Sequence, residues 1–182
     1  MILFVNACVR NESRTKRLAD RYLSGLKGTV EEVCLANASF PAADEAFLKT
    51  RDRLIREKAF EHPMFNYART FASADEIVVA APFWDLSFPA SLKQYFEQIN
   101  VVGITFRYTS GGIPQGLCRA SKLTYITTAG GEFFPPEYGF GYIDALARNF
   151  YGIKNTRLIK ATGLDVDGAD VEAILNRAQE EM

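Results

Sequence analysis

The chain is poor in the residues from which proteins build reactive centres of their own. It has one histidine, His62, and three cysteines, Cys8, Cys34 and Cys118, among 182 residues. No CxxC pair occurs, which excludes a structural zinc site of the usual Cys/His spacing. An odd number of scattered cysteines fits a reducing compartment better than a disulfide framework. Charge of one sign is lacking as well: 21 basic and 22 acidic side chains leave a net charge of −1. General nucleic-acid binding needs a strongly basic face, and this balance does not supply one. No apolar run approaches the ~18 residues of a membrane span. The apolar start ends at Arg10, without the basic leader and cleavage site of a signal peptide. Neither GxGxxG nor GxxxxGK[ST] is present, so a standard dinucleotide site and a nucleoside-triphosphate loop are both disfavoured. A cytoplasmic enzyme or electron carrier is the expectation.

What is present is core material. A hydrophobic content of 48%, with 13% aromatic, is too high for disorder. The length fits one domain, residues 1–182, with no linker or repeat. Residues 2–7 read as a central strand covered on both faces. Leu18, Ala19, Tyr22, Leu23 and Leu26 form one face of an amphipathic helix ending near Gly25 and Gly28. Residues 30–36 carry two acids and read as an edge strand. A charged helix is expected over 44–61, ending near His62-Pro63, and a second helix over 64–73. Residues 76–82 are the clearest strand, and Leu92, Tyr95, Phe96 and Ile99 mark the helix after it. Residues 105–112 suggest extended chain and a turn. Strands are expected at 122–129 and 157–162, with a last helix through Val171, Ile174, Leu175 and Ala178. The segment 133–151 is rich in aromatics and glycine and takes no assignment. This alternation implies an α/β fold with a parallel sheet between helices. Ligands of such sheets bind beyond the carboxyl ends of the strands, so the loops after the first, third and fourth strands share one edge.

Each of those loops has two readings. In the first, residues 9–16, free N–H groups and the helix dipole attract an anion. Ser13 and Thr15 add hydroxyls, and Arg10, Arg14, Lys16 and Arg17 add positive charge. The same Ser13 would serve equally as an ordinary helix cap. In the second, residues 81–89, Phe83, Trp84 and Phe88 with Pro82 and Pro89 make either a stiff apolar wall or plain core packing. In the third, Gly130-Gly131 permits either close backbone approach to a ligand or a tight turn. A phosphate site, an aromatic wall and a glycine rim on one edge suit a phosphorylated planar cofactor, and flavin mononucleotide (FMN) is the natural candidate.

Residues 81–117, APFWDLSFPASLKQYFEQINVVGITFRYTSGGIPQGL, and 122–131, KLTYITTAGG, carry a resemblance. They resemble the flavodoxin-like FMN-dependent NAD(P)H oxidoreductases of the azoreductase and quinone-reductase type. The first loop matches more weakly, through Arg10 and Ser13-Arg14-Thr15. The resemblance implies a flavodoxin-like three-layer sandwich, a five-stranded parallel sheet of order 2-1-3-4-5, and a homodimer with one FMN per subunit. It assigns Arg10, Ser13, Arg14 and Thr15 to the phosphate. It puts Pro82, Phe83, Trp84, Asp85 and Leu86 beside the ring, and Thr128, Ala129, Gly130 and Gly131 near its pyrimidine end. Three positions depart from the family pattern: Cys8-Val9 where Ser is usual, Asp85 where Asn is common, and Ala129 where some members have a larger polar residue. A carboxylate at Asp85, if near the ring, would lower the flavin potential.

The implied activity is hydride transfer in two steps. NAD(P)H reduces the bound FMN and leaves, and a quinone, azo compound or similar flat acceptor takes two electrons in the same place. No catalytic side chain is required, since the flavin carries the chemistry. Phe106, Tyr108, Phe133, Phe134, Tyr138 and Tyr142 are candidate walls for a flat acceptor, with core or interface packing the commoner role for each taken singly. His62 is expected at the surface, away from the chemistry, and Cys8 and Cys118 as buried structural thiols. A flavodoxin-type electron carrier is the alternative, although carriers present an acidic face that this balanced chain lacks. A domain that keeps the fold without flavin is the other.

Overall fold

The structure is a computed structural model and describes residues 1–182. Its five-stranded sheet is wholly parallel, in the order β2-β1-β3-β6-β7. The strands are β1 (Ile2–Asn6), β2 (Val30–Cys34), β3 (Glu76–Ala80), β6 (Lys122–Thr128) and β7 (Asn155–Ala161). Counting only these strands, the order is the 2-1-3-4-5 implied by the sequence. Between them lie α1 (Arg14–Ser24), α2 (Glu45–Arg56), α3 (Asn66–Ser73), α4 (Ala90–Ile99), α5 (Phe140–Leu146) and, last, α6 (Val171–Glu180). A separate antiparallel hairpin, β4 (Phe106–Tyr108) and β5 (Pro114–Gly116), stands outside the sheet. It accounts for the extended chain and turn expected at 105–112. No helix is long and apolar enough to cross a membrane.

Side chains alternate across the sheet as the pleat requires. Leu3, Val5, Ile77, Val79, Leu123 and Tyr125 point into a core shared with α3, α4 and α5. Ile2, Phe4, Val78, Ala80 and Ile126 point into a smaller core under α1 and α6. Both faces are therefore covered, which is why β1 and β3 read as continuous apolar runs. β2 sits at the edge with Glu31 and Glu32 exposed, as its two acids suggested.

Two expectations shift. The charged helix stops at Arg56 rather than near His62, because Glu57 caps it and Lys58 turns left-handed with φ 54°. His62 then caps a short 3-10 turn, its Nδ1 accepting from the Met64 N–H at 3.2 Å. The unassigned segment 133–151 holds α5, continued by a wide π turn at Ala147–Tyr151. Its helix propensity is low, and packing overrides it: Ile143, Leu146, Ala147 and Tyr151 all enter the larger core.

The π turn receives the hairpin. A Cβ added at Gly116 would lie 2.1 Å from the Tyr151 carbonyl carbon and 2.2 Å from the Gly152 nitrogen. Neither is the end of a flexible side chain, so the backbones would have to part. Gly116→Ala should cost about 1–3 kcal/mol or more. At ~2–4 °C per kcal/mol for a chain of this size, the thermal midpoint should fall by several degrees. An unchanged melting curve would mean that the hairpin is not docked this way.

Candidate functional site

The carboxyl ends of the parallel strands meet at one edge, and a cleft of about 570 Å³ opens there. Ligand pockets of small molecules span roughly 300–1,000 Å³. The cleft lies over the β1–β3 junction, where the strand order reverses direction. Four loops line it. From the first come Val9, Arg10, Glu12, Ser13, Arg14 and Thr15, and from the second Pro82, Phe83 and Trp84. Thr128, Ala129 and Gly130 close the third side, and Leu164 and Asp165 the fourth.

The first loop is set by Asn6. Its Oδ1 accepts from the Cys8 N–H at 2.9 Å, and its Nδ2 donates to Glu32 Oε1 at 2.8 Å. Ser13 then caps α1, its Oγ accepting from the Lys16 N–H at 3.2 Å. The N–H groups of Asn11 and Glu12 donate to no acceptor in the chain, and that of Ser13 closes only the weak turn at residues 11–12. Those of Arg14 and Thr15, in the first turn, lack an i−4 partner by position. This is a ready anion cradle. Thr15 binds the site together from below: its Oγ1 lies 2.6 Å from that of Thr128, with both residues buried.

Most of the positive charge expected in this loop is already committed. The Lys16 ammonium contacts both Asp20 oxygens at 2.9 and 2.8 Å, and Arg17 contacts Glu172 at 2.7 Å. These partners raise the Lys16 pKa and lower that of Glu172, in each case chiefly through the hydrogen bond. Arg14 donates to the Leu164 carbonyl at 2.9 Å and to Asp165 Oδ1 at 2.7 Å. Only Arg10 makes no ion pair. For Lys16 the reason is local, an i,i+4 pair on α1 itself; for Arg14 and Arg17 it is tertiary, since α1 packs beside α6 and the β7–α6 loop, whose acids meet its basic side.

The second loop crosses toward β6, with the Phe83 N–H donating to the Thr128 carbonyl at 3.0 Å. It then reverses over two residues, Trp84 and Ser87 exchanging backbone bonds of 3.0 and 2.7 Å. Asp85 and Leu86 have φ of 48° and 68°, the signature of a type I′ turn. Asp tolerates that region, whereas Leu is strained in it. Asp85 and Leu86 are exposed and do not line the cleft. Phe83 packs on Phe134 with ring centres 4.6 Å apart, and the Lys160 ammonium lies 5.1 Å over Phe134. The third loop is pinned by its neighbour: Leu164 donates to Ala129 at 3.2 Å, Asp165 to Gly130 at 2.9 Å and Gly163 to Gly131 at 2.9 Å. Gly131 itself is exposed and does not line the cleft.

A family model for the flavodoxin-like fold matches residues 1–182. The chain belongs to this family. The FMN-dependent NADH:quinone oxidoreductase of Coprothermobacter proteolyticus is 33% identical over 192 aligned positions, covering 99% of this chain and 94% of that protein. The enzyme of the same name from Clostridium beijerinckii is 35% identical, covering 97% and 93%. Among solved structures, an azoreductase from Bacillus anthracis superposes with a TM-score of 0.84 at 25% identity, covering 99% and 95%.

The aromatic candidates separate. Phe134 backs the cleft wall by packing on Phe83 without lining the cleft itself. Phe106 does neither: it is 4% exposed, packed on Phe150 and Tyr108 within the hairpin region, with ring centres 4.7 and 5.4 Å away. Tyr108 and Phe133 are 52% and 75% exposed and contribute no cleft wall. Leu164 and Asp165 are the cleft residues the sequence reading missed. Their signal was available: the turn-rich GLDVDG run follows the fifth strand, so parallel topology places it on the same edge.

Two predictions arise from this site. Leu86→Asn should raise stability by about 0.5–1 kcal/mol, since Asn tolerates left-handed backbone and Leu86 buries little. A lowered unfolding midpoint would count against the strained turn. Burial lifts the Cys8 thiol from 9.0 to about 11, outweighing the lowering influence of nearby Ser13, and lifts Cys118 to about 12. Both thiols should resist iodoacetamide at about pH 8 in the native protein while reacting once it unfolds, as mass spectrometry would read. Raised folded-state values also mean that their contribution to stability is complete below 9.0 and is lost as pH climbs through about 11 for Cys8 and about 12 for Cys118.

Proposed function

We propose that this chain is an FMN-dependent NAD(P)H oxidoreductase that passes two electrons from a nicotinamide to a quinone, azo compound or similar flat acceptor. The observation that carries the reading is the pairing of a cradle of free N–H groups at the α1 N-terminus with an aromatic wall across the same cleft. The donor set fits a phosphate monoester at one end: unpaired N–H groups, the Ser13 hydroxyl and nearby Arg10. The apolar faces of Phe83 and Trp84 fit a planar ring at the other. The names of the relatives agree with this reading.

Residues 10 and 13–15 surround the phosphate, residues 82–84 line the ring with the Asp85-Leu86 turn beside them, and residues 128–130 meet its polar rim. The turn at Asp85-Leu86 acts through its backbone by setting Trp84 against the cleft, and Asn at position 85 would suit its left-handed backbone equally. When bound, FMN supplies the hydride chemistry that the side chains lack. The protein's own part is to fix the phosphate end with rigid donors, to exclude water with Phe83, Trp84 and Phe134, and to leave one face open to a flat reactant.

All 182 residues work as one domain. The working unit is a homodimer, a reading supported by the apolar residues Tyr108, Ile113 and Leu117 exposed along the hairpin. The three unpaired cysteines fit the cytoplasm. Reconstitution with FMN should give a yellow protein whose visible band bleaches with NADH or NADPH and returns on adding menadione or an azo dye. Flavin that is bound but never reduced by either nicotinamide would instead support an electron carrier.

A further inference from the structure

Arg14 was the residue most naturally assigned to the ligand's phosphate, yet its guanidinium is spent on the protein. One nitrogen donates to the Leu164 carbonyl at 2.9 Å and another to Asp165 Oδ1 at 2.7 Å. The contact joins positions 150 and 151 residues apart, across the end of the cleft. Asp165 is in turn held by its own N–H on the Gly130 carbonyl at 2.9 Å. Its carboxylate lies so close above Gly130 that a Cβ there would meet Oδ2 at 2.2 Å. Three cleft walls are thereby linked in series: the first loop through Arg14, the β7–α6 loop through Asp165, and the glycine rim through Gly130.

We propose that Arg14 and Asp165 form a positioning clasp that holds the anion loop against the glycine rim, and that the ligand's phosphate is bound by the loop's backbone N–H groups rather than by the Arg14 charge. The inference rests on the reading of the cleft as an FMN site and deepens it. Two features favour the clasp over a direct charge contact. A guanidinium that serves both a backbone carbonyl and a carboxylate has two charge-assisted bonds, whose loss exceeds that of a solvated ion pair. The N–H groups of Asn11 and Glu12 make no hydrogen bond within the chain and face the open side of the loop, so an anion there can be met without the guanidinium. Asp165 is well exposed, so the ion pair alone is weak, and the effect of the clasp is on loop geometry rather than on global stability.

A double-mutant cycle on the full-length protein tests this, with FMN binding read by flavin fluorescence quenching. Arg14→Ala and Asp165→Ala should each weaken FMN binding about three- to tenfold, and the double variant should be no weaker than the worse single one. Asp165→Glu, which keeps the carboxylate, should recover part of the loss. Riboflavin, which lacks the phosphate, should lose affinity by a similar factor in Arg14→Ala, because a misplaced loop disturbs the whole cleft. All variants should keep the wild-type melting midpoint without ligand. The clasp is overturned if Asp165→Ala leaves FMN binding unchanged or tightens it, since the carboxylate would then be idle or competing with phosphate. It is equally overturned if losses in Arg14→Ala spare riboflavin, or if the two single losses multiply. Failure of the wild-type protein to bind FMN would be a separate result, removing the functional reading itself.

Discussion

The parallel hydrogen-bond ladder is the constraint on which the rest of this molecule depends. β1 pairs in parallel with β2 on one side and β3 on the other, and β6 and β7 continue the same direction. Parallel strands cannot be joined by tight turns, so each return is a crossover helix, and helices come to cover both faces. The same directionality delivers every strand's carboxyl end to one edge. Four loops far apart in sequence thus become the four sides of one cleft. The register sets their depth, as β6 and β7 extend to Thr128 and Ala161, two residue pairs past the last β3–β6 pair, Ala80–Ile126.

Within the cleft, backbone does much of what side chains do in other sites. The anion cradle is made of N–H groups freed by the start of α1, and the glycine rim is held by three backbone bonds from residues 163–165. Side chains mainly brace that backbone: Asn6 shapes the first loop, the Thr15–Thr128 hydroxyl contact ties helix to strand, and Arg14 reaches the fourth loop. Ion pairs on α1 neutralise most of its basic side, leaving a cleft whose attraction for anions is short-ranged and directional. Such a cleft selects by fit and hydrogen bonding more than by long-range field. The scarcity of histidine and reactive cysteine is consistent with a centre whose chemistry is brought in by its ligand.

Much of the fold was legible because its signals are local. Apolar runs marked β1 and β3, helical stripes marked α1, α4 and α6, and two acids marked β2 as an edge strand. The end of α2 was not legible, since charged residues continue past Arg56 while the helix stops at a left-handed Lys58. α5 was hidden too, because a segment rich in glycine and aromatics becomes helical only once Ile143 and Tyr151 are buried. Phe106 was open between pocket, interface and packing roles, and its ring lies in the hairpin region's own packing.

The cleft divides in the same way. Sequence alone determined the α/β alternation, the edge of the sheet at which the cleft opens, and most of the residues that line it: Arg10 and Ser13–Thr15, Pro82–Trp84, and Thr128–Gly130. These follow from periodicity, turn chemistry and the direction of parallel strands, all of which are local or topological. Only the tertiary structure decided that Leu164 and Asp165 complete the cleft, that Arg14 is already partnered, and that Asp85 and Leu86 form a strained turn beside the cleft rather than part of its wall. Those outcomes depend on which side chains meet across some 150 residues of chain, and no local pattern records such meetings.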